Sequence, residues 1–304
     1  MKDEYERPLK SIRISITNDC DLNCFYCHHE GCIGGDREMT SSEIGEIVSV
    51  GAEFGIEKVK LTGGEPLVRS DLTEIVSQIN RAPVKDISLT TNGTMLAGRA
   101  NELRKAGLDR VNISLDTLNP EKYVEITGKN KLNKVLEGIQ AALDADLWPV
   151  KLNTIVLNGV NDDEIEELID YSLNKGTILQ IIELLKTPEK SEIYDEYHVG
   201  LDDFEEELKE RADEVKTRWL MQARRKYLIN GGEIEIVNPM HNSEFCAHCT
   251  RLRVTPDGFL KPCLMRNDNL VDVLTEIRSG DLDSVHEAFR EANSRREPYC
   301  KPED

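Results

Sequence analysis

The sequence predicts an α/β protein: six strand–helix units in the first 185 residues, then a smaller C-terminal α+β region. Three observations carry this. Short β-branched runs alternate with segments of helical periodicity, the pattern of parallel strands joined by right-handed crossovers. The rhythm breaks at residues 186–200, where Thr187-Pro188 and polar residues interrupt it. Cysteines gather at two places, directly after the first strand and near the C-terminus. The parallel repeat suits an open doubly wound sheet or a barrel, full or partial.

The strand segments are 12–16, 58–61, 86–89, 110–115, 150–156 and 179–184, each short and apolar. The first helix opens at Thr40-Ser41-Ser42-Glu43, a capping pattern, and runs on through Ile44, Ile47, Val48 and Ala52. Further helical segments are 71–80, 99–106, 132–145 and 162–174. The division falls into 1–185 and 186–304. The second part begins with an acidic helix over 201–211 and a hairpin of 224–229 with 233–237, turning at Gly231-Gly232. Amphipathic helices follow at 270–279 and 282–293.

The 304 residues carry a net charge of −19. A strongly acidic chain argues against nucleic-acid binding. An anionic ligand needs a local basic cluster that works against this field. No apolar run reaches the roughly 18 residues of a membrane span, and MKDEYERPLK lacks the apolar stretch of a secretory leader. The expectation is a cytoplasmic protein. In a reducing compartment, clustered cysteines point to metal ligation or catalysis before disulfides.

Cys20-x3-Cys24-x2-Cys27 leaves the carboxyl end of the first strand, where parallel α/β folds place ligand sites. Thiolates are soft donors suited to iron–sulfur clusters or zinc. Three of them leave one iron of a four-iron cube open to a small molecule. Gly63-Gly64-Glu65-Pro66 follows the second strand, and its glycines allow a ligand close to the backbone. Cys246-x2-Cys249-x13-Cys263 is again a three-cysteine group. On spacing alone zinc stays open for both, with His241 or His248 as a fourth ligand at the second. Cys32 and Cys300 lie outside both groups and read as bystander thiols, with Cys32 alternatively a spare ligand.

C-x3-C-x2-C with Tyr26 before its third cysteine, followed by GGEP, resembles the radical S-adenosylmethionine (SAM) superfamily. Within it, Cys246-Ala-His-Cys249-Thr-Arg251-Leu-Arg253-Val-Thr-Pro-Asp257-Gly258 is similar to the GTP 3′,8-cyclase family of molybdopterin biosynthesis. So is Arg13-Ile-Ser-Ile-Thr before Cys20, and Cys27-His28-His29-Glu30-Gly31 looks like its archaeal branch. The likeness covers about residues 8 to 290. It implies an incomplete (β/α)6 TIM-like barrel, closed by the C-terminal region, with two [4Fe-4S] clusters. Cys20, Cys24 and Cys27 would hold one, and Cys246, Cys249 and Cys263 the other. It implies SAM contacts from Tyr26, Gly64, Thr91, Ser114 and Lys151. Arg13, Lys58, Arg251 and Arg253 would hold GTP. The reduced first cluster would split SAM, the 5′-deoxyadenosyl radical would take hydrogen from C3′ of the GTP ribose, and C3′ would attack C8 of guanine. An external electron donor and a downstream pterin-forming enzyme are further implied partners; a homodimer is left open.

Two departures stand out. Gln180 occupies a sixth-strand position that is often basic in the family, and the chain ends Tyr299-Cys300-Lys-Pro-Glu-Asp where many members end Gly-Gly. Two other readings compete: a two-cluster radical SAM enzyme that modifies peptides, and an iron–sulfur redox sensor without catalysis.

Overall fold

The computed structural model describes residues 1–31, 35, 37–240 and 242–301. The readings placed on Cys32 and His241 lie outside the described residues. Six parallel strands follow in order: β1 (Ser11–Ser15), β2 (Lys58–Thr62), β3 (Asp86–Thr91), β4 (Arg110–Ser114), β5 (Lys151–Ile155) and β6 (Ile178–Ile182). Between them run α1 (Ser41–Glu53), α2 (Leu72–Ile79), α3 (Ala100–Ala106), α4 (Pro120–Thr127), α5 (Leu132–Asp144) and α6 (Ile165–Lys175). The capping box forms as expected: Thr40 Oγ1 accepts from Glu43 N, and Glu43 Oε2 accepts from Thr40 N at 2.7 Å.

The chain beyond α6 adds α7 (Ser191–Tyr197), α8 (Asp202–Arg211), β7 (Glu214–Arg218), β8 (Arg224–Ile229) and β9 (Gly232–Val237). After these come α9 (Ser243–Ala247), β10 (Arg251–Val254), β11 (Phe259–Lys261), β12 (Val271–Asp272), α10 (Leu274–Ser279) and α11 (Leu282–Ser294). These later strands extend the same sheet at both edges. The order is β12-β11-β10-β1-β2-β3-β4-β5-β6-β9-β8-β7, with β10 parallel to β1 and β9 parallel to β6. The expected hairpin is present as β8 and β9. The helix expected from residue 270 starts only at Leu274, because Val271 and Asp272 pair with β11.

Among the described residues the two edges do not hydrogen-bond to each other as strands. The gap is crossed by the segment between β7 and β8: Gln222 N donates to His248 O and Thr250 Oγ1 to Leu220 O, both at 3.2 Å. The C-terminal region thus closes the open side of an incomplete barrel.

Strand residues alternate between two environments. Ile12, Ile14, Val59, Leu61, Ile87 and Leu89 are 2% exposed or less and pack outward with the helices. Inward positions are polar instead: Arg13, Lys60, Ser88, Thr90, Asn112, Asn153 and Gln180. Barrels of this kind usually fill the interior with branched apolar side chains. Here the interior is a site.

Candidate active site

The loop from β1 carries Cys20, Cys24 and Cys27. It is tied to α4, since Asn23 N donates to Thr127 O and Phe25 N to Ile126 O. The GGEP turn holds its other side. Gly64 N donates to Thr17 O at 2.9 Å and Glu65 N to Asp19 O at 2.7 Å. A side chain at Gly64 would place Cβ 2.3 Å from Asp19 O, and Gly63 (φ +151°) would place one 2.4 Å from Thr17 O. Both glycines therefore allow close backbone packing. Glu65 is fully buried, and it accepts from Leu67 N (2.9 Å), Thr91 Oγ1 (2.7 Å) and Asn92 N (2.6 Å). Burial pushes its carboxyl up to about 7 against these bonds.

Burial raises the thiols of Cys20 and Cys27, and N–H groups of Leu22 (3.5 Å) and His29 (3.4 Å) directed at the sulfurs act against it. Donors of this kind favour thiolate over thiol, as a bound cluster requires. Tyr26 donates to Asp116 Oδ2 at 2.6 Å, while Ile155 N donates to Asp116 Oδ1 at 2.8 Å. Burial lifts Asp116 to about 6.

Inside the barrel lies a cavity of about 540 Å³. Its wall includes Tyr26, Ser114 and Lys151, then Arg13, Lys58, Arg251 and Arg253, and finally Cys246, Cys249 and Cys263. Gly64 and Thr91 are absent from that wall; Thr91 turns outward to Glu65, while its neighbour Thr90 lines the cavity. Lys58 is exposed at the start of β2.

Parallel pairing aligns the cations: Arg253, Arg13 and Lys60 are register partners across β10, β1 and β2. Glu30 bridges the first two, accepting from Arg253 at 2.6 Å and Arg13 at 3.3 Å, and from Thr62 Oγ1 at 3.0 Å. Burial pushes the Glu30 carboxyl up, but Arg13 and Arg253 hold it well below the usual carboxylate range. Lys60 donates to Asn112 Oδ1 at 2.8 Å, and burial, with Arg110 and Arg13 nearby, lowers its pKa far below a free lysine's. Burial likewise lowers Arg251.

The second cysteine loop is pinned by two buried arginines. Arg296 donates to Cys249 O at 2.6 Å and Arg7 to Cys246 O at 3.0 Å, and both reach Asp3. Cys300 N donates to Cys246 Sγ at 3.4 Å, against a burial that pushes this thiol up to about 11. His248 points its Nδ1 at Glu244 O and packs on Trp219. Sequence reasoning missed Glu30, Lys60, Asn112, Arg218, Arg224 and Glu235. The signal for Lys60 and Asn112 was present: every second strand residue is polar in Ser11–Ser15, Lys58–Thr62 and Arg110–Ser114.

A parallel barrel with a three-cysteine loop at its first strand and a GGEP turn at its second defines a class. Residues 14–172 match the radical SAM superfamily and residues 177–302 match Molybdenum Cofactor Synthesis C. The chain is 50% identical over 303 residues to a probable GTP 3′,8-cyclase of Methanothermobacter thermautotrophicus, covering 99% of both chains. It is 50% identical over 302 residues to that of Methanocaldococcus jannaschii, again covering 99% of both. The chain belongs to the radical SAM superfamily and, within it, to the GTP 3′,8-cyclase family. Among solved structures, Streptococcus suis SuiB bound to S-adenosylmethionine superposes with a TM-score of 0.69 at 16% identity, over 93% of this chain and 68% of that one. The anSMEcpe structure with bound AdoMet gives 0.61 at 18%, over 92% and 82%. At these identities the likeness is one of fold. Membership of the superfamily implies a four-iron cluster and SAM. No helix among the described residues is long and apolar enough to cross a membrane.

Proposed function

We propose that the chain cyclises GTP to 3′,8-cyclo-7,8-dihydro-GTP, the opening step of molybdopterin biosynthesis. The observation that carries this is the single cavity whose wall joins Tyr26, from the first cysteine loop, to all three cysteines of the second group across a basic lining. Thirteen lining residues are lysine or arginine and five are aspartate or glutamate, in a chain of net charge −19. A polyanion fits that wall.

The division of labour follows the chain. Residues 1–185 supply the SAM half. Cys20, Cys24 and Cys27 hold the first cluster, which when bound supplies the electron that cleaves SAM. Tyr26 and Asp116 form a hydrogen-bonded wall beside it, with Ser114 and Lys151 further along. Gly64 and Thr91 act from behind: the glycine seats the Cys20 segment, and the threonine holds Glu65. Residues 186–304 close the barrel and supply the substrate half. Cys246, Cys249 and Cys263 hold a second cluster that anchors the guanine. Arg13, Arg251 and Arg253, with Lys60 and Lys58, hold the phosphates by charge-assisted bonds. The walls keep the ribose near SAM and exclude water and competing hydrogen donors.

The peptide-modifying alternative has only a likeness of fold behind it, to SuiB, which is also solved with the precursor peptide SuiA, whereas relatives matched over 99% of their length are probable GTP 3′,8-cyclases. The decisive experiment gives oxygen-free, reconstituted protein SAM, a reductant and GTP. Formation of the cyclised nucleotide is expected. SAM cleavage without any GTP product would sink the proposal, and no SAM cleavage at all would favour the sensor.

A further inference from the structure

A second group of cations lines the cavity away from the β10–β1–β2 wall. Glu235 on β9 is fully buried. Lys151 approaches its carboxylate at 2.6 Å, Arg218 at 2.5 Å and Arg224 at 3.9 Å. Lys226 also comes within 3.9 Å of Glu235 but is matched by its own partner, Glu233, at 2.6 Å. Lys226 aside, one carboxylate therefore faces three cations, with the Lys151 and Arg224 side chains buried or nearly so and Arg218 partly exposed. Excess charge in such a place is unfavourable unless an anion completes it.

Gln180 explains why none of this charge stands on β6. It accepts from Asn112 Nδ2 at 3.0 Å and donates to Glu235. Lysine and arginine accept no hydrogen bond, so neither could fill both roles. The cations come instead from β7 and β8. Arg224 Nε is fixed on Met221 O at 3.0 Å, which leaves its terminal nitrogens to the cavity it lines. Burial lowers Arg224 to about 10 against the opposing pull of Glu235, with Arg218 and then Arg13 adding to the effect. Arg218 and Arg224 line the same cavity as Arg13, Arg251 and Arg253, so the two basic walls share one volume.

We infer that Arg218 and Arg224, positioned by Glu235, form a second arm that grips the polyphosphate of the substrate nucleotide opposite Arg13, Arg251 and Arg253. The inference rests on the nucleotide reading above and adds residues to it. Guanidinium forks on two walls match a chain of phosphates better than one arginine pair does.

The test titrates reconstituted, oxygen-free protein with GTP, inorganic tripolyphosphate and SAM by calorimetry. Arg224→Ala and Arg218→Ala should each weaken GTP and tripolyphosphate about tenfold or more and leave SAM within about twofold. Arg224→Lys keeps the charge and loses the fork, so it should recover part of the affinity and the salt dependence that the alanine variant loses. Iron content and circular dichroism establish folding; if Arg224→Ala does not fold, Arg218→Ala and Arg224→Lys carry the test. Unchanged tripolyphosphate affinity in the alanine variants overturns the arm. A selective loss of SAM affinity also overturns it, assigning the group to the methionine carboxylate. Wild-type protein that binds tripolyphosphate through these arginines but ignores GTP leaves the arm standing and refutes the nucleotide reading.

Discussion

Replacing Gly64 by alanine adds one methyl group at the point where the GGEP turn meets the first cysteine loop. Its Cβ would sit 2.3 Å from Asp19 O and 2.6 Å from Asn18 O. An ordinary contact needs about 3.5 Å, so this backbone must retreat by about 1 Å. Retreat strains the hydrogen bonds from Gly64 N to Thr17 O and from Glu65 N to Asp19 O. Overpacking of this kind destabilises by about 1–3 kcal/mol, and a weakened hydrogen bond adds about 1 kcal/mol. At about 2 °C per kcal/mol for a chain of this size, Tm should fall by about 4–8 °C. Asp19 adjoins Cys20, so the same displacement moves a cluster ligand. Iron bound at the first site and SAM affinity should both drop. Gly98→Ala is the control, because nothing lies within 4 Å of its added Cβ; it should leave Tm equal or slightly higher. Thermal scans, iron counts and SAM titration of the two variants decide the matter. A Gly64→Ala protein with wild-type Tm, iron and SAM affinity would refute the steric argument.

Four further outcomes are expected. Arg251→Ala with Arg253→Ala should weaken GTP binding about tenfold or more with iron content unchanged, as read by calorimetry; equal affinity would place the phosphates elsewhere. Cys24→Ala should abolish SAM cleavage, whereas Cys249→Ala should retain slow cleavage and lose cyclisation; product and 5′-deoxyadenosine assays separate the two. Arg296→Ala removes the donor to Cys249 O and should destabilise by about 2–3 kcal/mol, with iron lost from the second site first; an unaltered iron count contradicts the pinning role. Glu65 stands at about 7 against 4.5 when unfolded, so the folded state holds the extra proton between these values and wild-type stability rises as pH falls from 7 toward 4.5. Glu65→Gln lacks that gain, so its deficit relative to wild type should widen between pH 7.5 and 5.5, and a constant difference would show that Glu65 does not titrate there.

Much of the barrel was readable because helix and strand periods differ. The run Leu132–Asp144 buries Leu132, Val135, Ile139 and Ala142 on one face, a spacing no strand shares. The two cysteine groups and GGEP were legible because their chemistry fixes residue type. The strands of the C-terminal region were harder. Val271 and Asp272 pair with β11, yet two residues carry no period to read. Arg251–Val254 joins β1 in parallel, a contact spanning most of the chain that no local pattern encodes. The anchoring of Cys249 by Arg296 belongs to the same kind. A buried arginine on the C-terminal side of α11 looks like surface charge until the loop it supports is known. Thr91 illustrates a finer limit. It and Thr90 are adjacent and alike, and the pleat alone decides which meets the cavity and which meets Glu65.

The charge balance of the whole chain and that of its site have opposite signs, and the fold makes this workable. Acidic groups on the outer surface sit in water, where salt screens them beyond about 10 Å. They maintain solubility and exert little repulsion on an anion already inside the barrel. The inward lysines and arginines act at contact distance, in a wall of lower dielectric, where each charge counts for more. Their mutual repulsion is contained by a few inward carboxylates: Glu30 between Arg13 and Arg253, Asp86 on Arg110, Glu235 among Lys151, Arg218 and Arg224. Each of these is smaller in charge than the cations it faces or equal to them, so the wall stays net positive while every guanidinium is oriented. The period-2 pattern of the strands is what separates the two populations. Moving β1 by a single residue would send Arg13 into the helix layer and Ile12 and Ile14 into the cavity, which ties the register of the sheet directly to the chemistry inside it.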